Sequence, residues 1–398
     1  MAANMKKNAK EIRDLFLLDD KISFLNFGSF GACPSVIFED LIKWQRLLEK
    51  EPVRFIVEYG PKFLEESKQA LGTYIGANVS DLIFVPNPTF AINILAKNIL
   101  NPGDEVLTTN LEYGAMDYTW EYFCTKTGAS YKRQPITLPL VSKEKFIEEF
   151  WKGVSDKTKI IFISHITSST GLIFPVEEIC AEAKRRGLIT VVDGAHVPGH
   201  IPLNISTLQA DFYTGACHKW MMTPKGNSFL YVAKSFQPLL EPLVISWGFK
   251  STNTQASQFQ EYHQYNGTRD FSAYLTIPAA LDFRTEHHWD ELIKSCRGSV
   301  IKKGAELSHF LGTKPLAPLT SDFYGQLYSA KIHTENPEEL QRILFTNYSI
   351  EIPVMRHGDD CYIRFSFQPF SQEKEIDALI VALEEIRQTT DLWFRPTL

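Results

Sequence analysis

The sequence predicts an α/β fold: a large, doubly wound, mostly parallel sheet with helices on both faces, joined to a smaller α+β domain. Three observations carry this. Short apolar runs alternate with amphipathic stretches through most of the chain, the pattern of strand–helix–strand units. Several runs, IIFIS and ITVVD among them, are apolar on both faces, as buried parallel strands are. The texture then changes after about residue 280, where helical stretches mix with a few short strands.

The candidate strands, in order, are Leu82–Val85, Glu105–Thr109, Ser130–Gln134, Lys159–Ser164, Leu188–Asp193, Asp211–Thr214 and Ser228–Val232. A helix opens at Pro175 with VEEICAEAKRRG. Val176, Ile179, Cys180 and Ala183 form its apolar stripe, with glutamates in its first turn, basic residues in its last and Gly187 as its stop. Near the C-terminus Ser371 is placed to cap a helix with the stripe Ile376, Leu379, Ile380, Leu383 and Ile386. The expected division is a large domain at 25–285 and a small domain built from both chain ends, 1–24 and 286–398.

Composition narrows the function. Of 398 residues, 44% are hydrophobic and 22% charged, with a net charge of −6. This is ordinary globular usage. There is no basic surplus for a phosphate backbone, so a general nucleic-acid binder is excluded. Cys33, Cys124, Cys180, Cys217, Cys296 and Cys361 form no CxxC pair and no metal-ligand spacing. No metal site is expected, and scattered thiols of this kind suit the reducing cytoplasm. The polar start MAANMKKNAKEIRDLF lacks the apolar run of a signal peptide. No apolar run reaches the roughly 20 residues of a membrane span.

Two segments concentrate chemistry. In VVDGAHVPGH an apolar strand ends in Asp193, with His196 three residues on. Ligands bind at the carboxyl ends of such strands; taken alone, Asp193 reads equally well as a cap. In DFYTGACHKWMMTPKG a short strand leads into His218-Lys219-Trp220. Most lysines are solvated, but one flanked by His and Trp just past a strand is placed to be desolvated and to lose its charge, as a Schiff-base lysine must.

The D-x-x-H … H-K pattern resembles the class V pyridoxal-phosphate (PLP) enzymes of the aspartate-aminotransferase fold, fold type I. Within that class the chain is most similar to the isopenicillin N epimerase-like group. The resemblance runs over nearly the whole chain: LNFGSFG, NPT before a helix, PGDEVL, LEYGAM, SHITSSTG, VVDGAHVPGH, HKW, NGTRD and YIRFS, in order.

The resemblance implies roles. Lys219 would bond to PLP. Asp193 would pair with the pyridine nitrogen and keep it protonated. His196 would lie near the phenolic oxygen, to orient the ring or relay protons. Tyr113 would stack on the ring, though alone it reads as an ordinary half-buried tyrosine. Pro88 and Thr89 would open a helix whose N-terminus seats the phosphate; a plain N-cap is the other role for Thr89. His218 would be a second phosphate donor, and Thr268 would reach the phosphate of the neighbouring subunit in a homodimer. Arg364 would clamp the substrate carboxylate with its planar fork, where alone it would read as a salt-bridge partner. Asn26, Gly28 and Ser29 would approach the same pocket.

Two departures from the family pattern stand out. Ala216 replaces a usual hydroxyl before Cys217-His218-Lys219, and Ser168 stands where some members carry Asn, its hydroxyl still expected to meet the cofactor's phenolic oxygen, more weakly. The intact Lys219 and Asp193 argue against a non-catalytic protein. Cys361 and Arg364 have opposite strand parity and so should face opposite ways, which argues against a cysteine desulfurase. Cys217 is a reactive-thiol candidate whose simpler role is packing. The expected activity is epimerisation or racemisation at the α-carbon of a small amino acid-type substrate. A C–S β-lyase and an aminotransferase are the alternatives. Phe27, Phe30, Tyr113, Trp247 and Phe249 are expected to shape the substrate pocket.

Overall fold

A computed structural model describes residues 8–252 and 256–396. Its centre is a sheet of β1 (Leu82–Val85), β2 (Glu105–Thr109), β3 (Ser130–Gln134), β4 (Thr158–Ser164), β5 (Ile189–Asp193), β6 (Phe212–Ala216) and β7 (Ser228–Val232). The spatial order is β1-β7-β6-β5-β4-β2-β3. Only β7 runs against the rest, pairing antiparallel with both β6 and β1. The strands form where the sequence predicts, with ends displaced by one or two residues at β4, β5 and β6.

Alternation along the strands explains the double winding. Leu107, Ile161, Ile163 and Val192 belong to one buried cluster. Val106, Ile160, Phe162 and Val191 belong to another. The second cluster is covered by α1 (Pro88–Ile99) and α2 (Gly114–Thr127), through Ile92, Leu95, Met116 and Trp120. On the first face lies α3 (Val176–Arg185), which buries all four residues of its predicted stripe. Pro175 sits at its cap position, one residue before the first helical one.

The C-terminal part is a three-stranded antiparallel sheet of β8 (Leu327–Ile332), β9 (Val354–His357) and β10 (Asp360–Ser366), in the order β9-β10-β8. It packs with α4 (Trp289–Leu311) and α5 (Glu373–Thr389). The expected Ser371 cap is corrected. Gln372 caps α5 in a reciprocal box with Glu375, while Ser371 Oγ accepts from the Gln368 N–H at 3.0 Å. Ser371 is held by its own local turn and is not free to cap.

The N-terminal segment joins this C-terminal layer. Residues 23–24 pair in parallel with 350–351. Ser366 Oγ accepts from the Phe27 N–H at 2.6 Å and donates to the Leu25 carbonyl at 2.9 Å. Phe16 packs against Phe283, Trp289 and Phe370. The pairing of 23–24 with 350–351 lies within the proposed lobe of 1–24 and 286–398, whereas the bonds of Leu25 and Phe27 to Ser366 and the packing of Phe16 on Phe283 cross its boundary with 25–285. No helix among the described residues is long and apolar enough to cross a membrane.

One glycine ties the N-terminal segment to the sheet. Gly31 has φ +65, and a Cβ there would overlap the His218 carbonyl and lie 2.7 Å from that of Lys219. Gly31→Ala is expected to destabilise by about 2 kcal/mol or more. Gly298→Ala, inside α4 with open space around it, should be neutral or up to about 1 kcal/mol stabilising. Chemical denaturation of the two variants checks this; equal effects would contradict it.

Candidate active site

The carboxyl ends of the strands and the C-terminal sheet enclose a cleft of about 440 Å³. β4 and β5 end in register at Ser164 and Asp193, so both open into it. Asp193 is 4% exposed. Burial pushes its carboxyl above the usual range, against the pull of the Ala195 N–H and Lys219. Oδ1 accepts from Ala195 at 2.9 Å. Oδ2 has no protein partner among the described residues.

Lys219 follows β6 in a tight turn, where the N–H groups of Cys217 and His218 both meet the Asn227 carbonyl. Burial first, and Arg364 second, push the lysine amine down to about 8, with Asp193 opposing. Its Nζ lies 3.1 Å from His196 Nε2. His196 is buried, and desolvation with nearby Lys219 and Arg364 holds it well below the ordinary histidine range.

Arg364 sits on β10, 3% exposed. It donates to the carbonyl of Ser168 and to Ser29 Oγ at 3.1 Å. Burial lowers it to about 10. No carboxylate pairs with it among the described residues. A buried cation without an anion is costly, so the cleft is built to receive one. Ser29 is itself aimed by a 2.6 Å bond to Asn26 Oδ1. Gly28 leaves room: a Cβ there would press on Leu327 and lie 3.5 Å from the guanidinium.

A lysine held near neutrality, a buried aspartate and an unpaired arginine now stand around one cleft. The family model described as aminotransferase class-V matches residues 57–379. The chain belongs to the class-V aminotransferase family. It is 30% identical over 401 residues to isopenicillin N epimerase of Amycolatopsis lactamdurans, covering 97% of this chain and 100% of that one. It is 27% identical to a putative L-cysteine desulfhydrase of Oryza sativa subsp. japonica, over 92% of this chain and 83% of that one. Among solved structures it resembles a C-DES variant with glycine covalently linked to its PLP cofactor, at a TM-score of 0.78 and 21% identity, covering 93% and 98% of the two chains.

The cofactor of this family member is pyridoxal 5'-phosphate, and the residues present fit it. Asp193 lines the cleft with its Oδ2 unspent on protein, and it would be the residue to hold a protonated ring nitrogen. At the start of α1, Asn87 caps the Phe90 N–H at 2.8 Å, and Pro88 has no N–H. The expected alternative of Thr89 as the N-cap is therefore corrected. Thr89 sits one position further in, where its own N–H and hydroxyl have no protein partner among the described residues, and it lines the cleft. That is an anion seat at a helix N-terminus. Tyr113 precedes α2 and lines the cleft at 47% exposure.

His218 and Ser168 line the same cleft. His218 donates through Nδ1–H to the Asn227 carbonyl at 3.0 Å, and burial lowers it to about 4. Its Nε2 then bears a lone pair, so it becomes a phosphate donor only on taking up a proton. Ser168 Oγ lies 3.4 Å from Arg364, on the carboxylate side of the cleft. Asn26 supports Ser29 from behind and does not line the cleft. Thr268 is exposed in a separate groove beside Lys68 and Arg269. Of the expected pocket-shaping aromatics, Phe30 and Tyr113 line the cleft. Phe27 is core, packed on Trp220 at 5.4 Å between ring centres, Trp247 is 92% exposed, and Phe249 stacks on Tyr262.

Two residues went unread in the sequence. Glu112, fully buried beside Tyr113, accepts from Thr109 Oγ1 at 2.7 Å and from Ser164 at both N–H and Oγ; burial pushes it up to about 8. It ties the Tyr113 turn to the end of β4. Trp220 donates to His196. The run HKW placed Trp220 beside the lysine, but no spacing signals a bond back to His196.

The lowered Lys219 makes a stability prediction for cofactor-free protein. The ordinary lysine value is about 10.4, so between about 8 and 10.4 the unfolded chain binds more protons. Stability therefore rises with pH through that window, and the burial penalty is fully present below it. Lys219→Met should raise the Tm at pH 7, by the equivalent of about 3 kcal/mol, and the gain should shrink by pH 9.5. A variant that melts earlier at pH 7, or a gain independent of pH, contradicts the assignment.

Proposed function

We propose that this chain is an epimerase or racemase acting at the α-carbon of an amino acid, of the isopenicillin N type. The observation that carries the reading is the full-length likeness to isopenicillin N epimerase, joined to a cleft holding a poised base and an unpaired guanidinium. Arg364, steadied by Ser29 and Ser168, grips the substrate carboxylate through a charge-assisted fork. That grip points the α-hydrogen at Lys219. With its amine lowered to about 8, Lys219 in its uncharged form takes the α-proton and returns one. When bound, PLP supplies an electron sink for the charge left at the α-carbon. Asp193 would hold the protonated pyridine nitrogen, Thr89 would hold the phosphate, and Tyr113 would lie against the ring.

We also propose a homodimer, in which Thr268 reaches the neighbouring subunit's phosphate. Its exposure outside this chain's own cleft supports that role. All six cysteines are free, which supports a cytoplasmic setting. A second reading, a C–S β-lyase on a cysteine conjugate or sulfoxide, is favoured by the likeness to the cysteine desulfhydrase; it uses the same base and clamp. An aminotransferase is the third.

Incubation of an amino-acid panel in heavy water separates them. Deuteration at the α-carbon with inversion is expected. Pyruvate with a sulfur product would transfer the protein to the lyases, and keto-acid formation to the transaminases. Deuteration without inversion on every substrate sinks the epimerase. Purified protein should show the visible cofactor band, and Lys219→Ala should abolish it. Arg364→Ala should raise KM roughly 10–100-fold with that band intact; loss of the cofactor would mean that Arg364 was misassigned.

A further inference from the structure

We propose that Trp220 is a positioning residue: it fixes which nitrogen of His196 carries the proton, and so makes His196 a fixed N–H donor toward Lys219. The inference rests on the reading of Lys219 as the PLP-bearing lysine.

Trp220 Nε1 lies 3.3 Å from His196 Nδ1. An indole N–H only donates, so Nδ1 must present its lone pair. Neutral His196 then carries its proton on Nε2, the nitrogen 3.1 Å from Lys219 Nζ. The opposite tautomer would set two N–H groups against each other inside a buried site. A donated Nε2–H is accepted at Nζ only by an uncharged amine. That is the form that attacks the cofactor carbonyl and accepts an α-proton. His196 thus presents one proton at Nε2 and does not pass protons through both nitrogens, which decides between orienting and relaying. The lowered pKa values of His196 and Lys219 agree with this but are not needed for it.

Trp220 is held on every side. It is 1% exposed. Its ring stacks on His200 at 3.9 Å and 20°. Its carbonyl accepts from Arg284 at 3.1 Å and is approached closely by Gly199, φ +85. His200 is fixed in turn: Nε2 accepts from the Gln326 N–H at 2.5 Å, so Nδ1–H donates to the His196 carbonyl at 2.9 Å. Both the backbone and the ring of His196 are therefore set from the side away from the cleft.

Trp220→Phe keeps a stacked ring and removes one N–H. The other charged or titratable groups around the pair, Asp193, Arg364 and His218, and Arg284 and Arg297 near His200, stay in place. The test is the pH profile of PLP uptake by cofactor-stripped full-length chain, read as growth of the visible band. Freed of Trp220, His196 can accept from a charged Lys219, so the midpoint should move up by about one pH unit, the worth of one hydrogen bond. An unshifted midpoint with full uptake overturns the proposal. Wild type that takes up no PLP, or takes it up equally as Lys219→Ala, overturns the functional reading instead. If Trp220→Phe does not fold, ¹⁵N spectra of histidine-labelled wild type decide the matter. A proton on Nε2 of His196 is expected, and a proton on Nδ1 overturns it.

Discussion

Lys219, Asp193 and Arg364 share one buried cleft, and the desolvation of these three charges is what the surrounding structure has to compensate. None is satisfied by a neighbour of opposite charge alone. Asp193 spends one oxygen on a backbone N–H and leaves the other open. Arg364 has hydroxyl and carbonyl acceptors where an acid would be expected. Lys219 is driven toward its neutral form. An apolar replacement would be more stable, so the arrangement makes sense only as a receptor for charge brought from outside. An anionic cofactor would bring part of that charge, and the proposed amino acid substrate would bring a carboxylate.

The fold delivers the three groups from separate stretches of chain. Asp193 ends a central strand, Lys219 follows the next, and Arg364 arrives from the C-terminal sheet. The N-terminal segment closes the gap. It is bonded to Ser366, two residues past Arg364, and it sends Ser29 to the guanidinium. The N-terminal segment and the C-terminal sheet therefore meet at the guanidinium.

The central strands were legible because a strand buried on both faces leaves a continuous apolar signature, as in IIFIS and ITVVD. Asp193 and Lys219 were legible because each closes or follows such a strand. Caps were less so: Ser371 and Thr89 each stand within two residues of a better-placed cap, Gln372 and Asn87, and backbone angles choose between such near neighbours. Arg364 was readable only through family resemblance, since nothing local distinguishes it from a salt-bridge partner. Trp220 and Glu112 were hidden for another reason. Their bonds to His196 and Ser164 join residues 24 and 52 positions apart, and chain separation of that size leaves no periodic trace.

Lys219 is proposed as the residue that takes up the cofactor, and the other roles depend on it. Borohydride reduction of PLP-loaded protein, followed by peptide mapping, tests that directly. A single phosphopyridoxyl group on the peptide bearing Lys219 is the predicted result. Its placement on another lysine, such as Lys225 six residues on, or a loaded protein with no reducible linkage, would contradict the account.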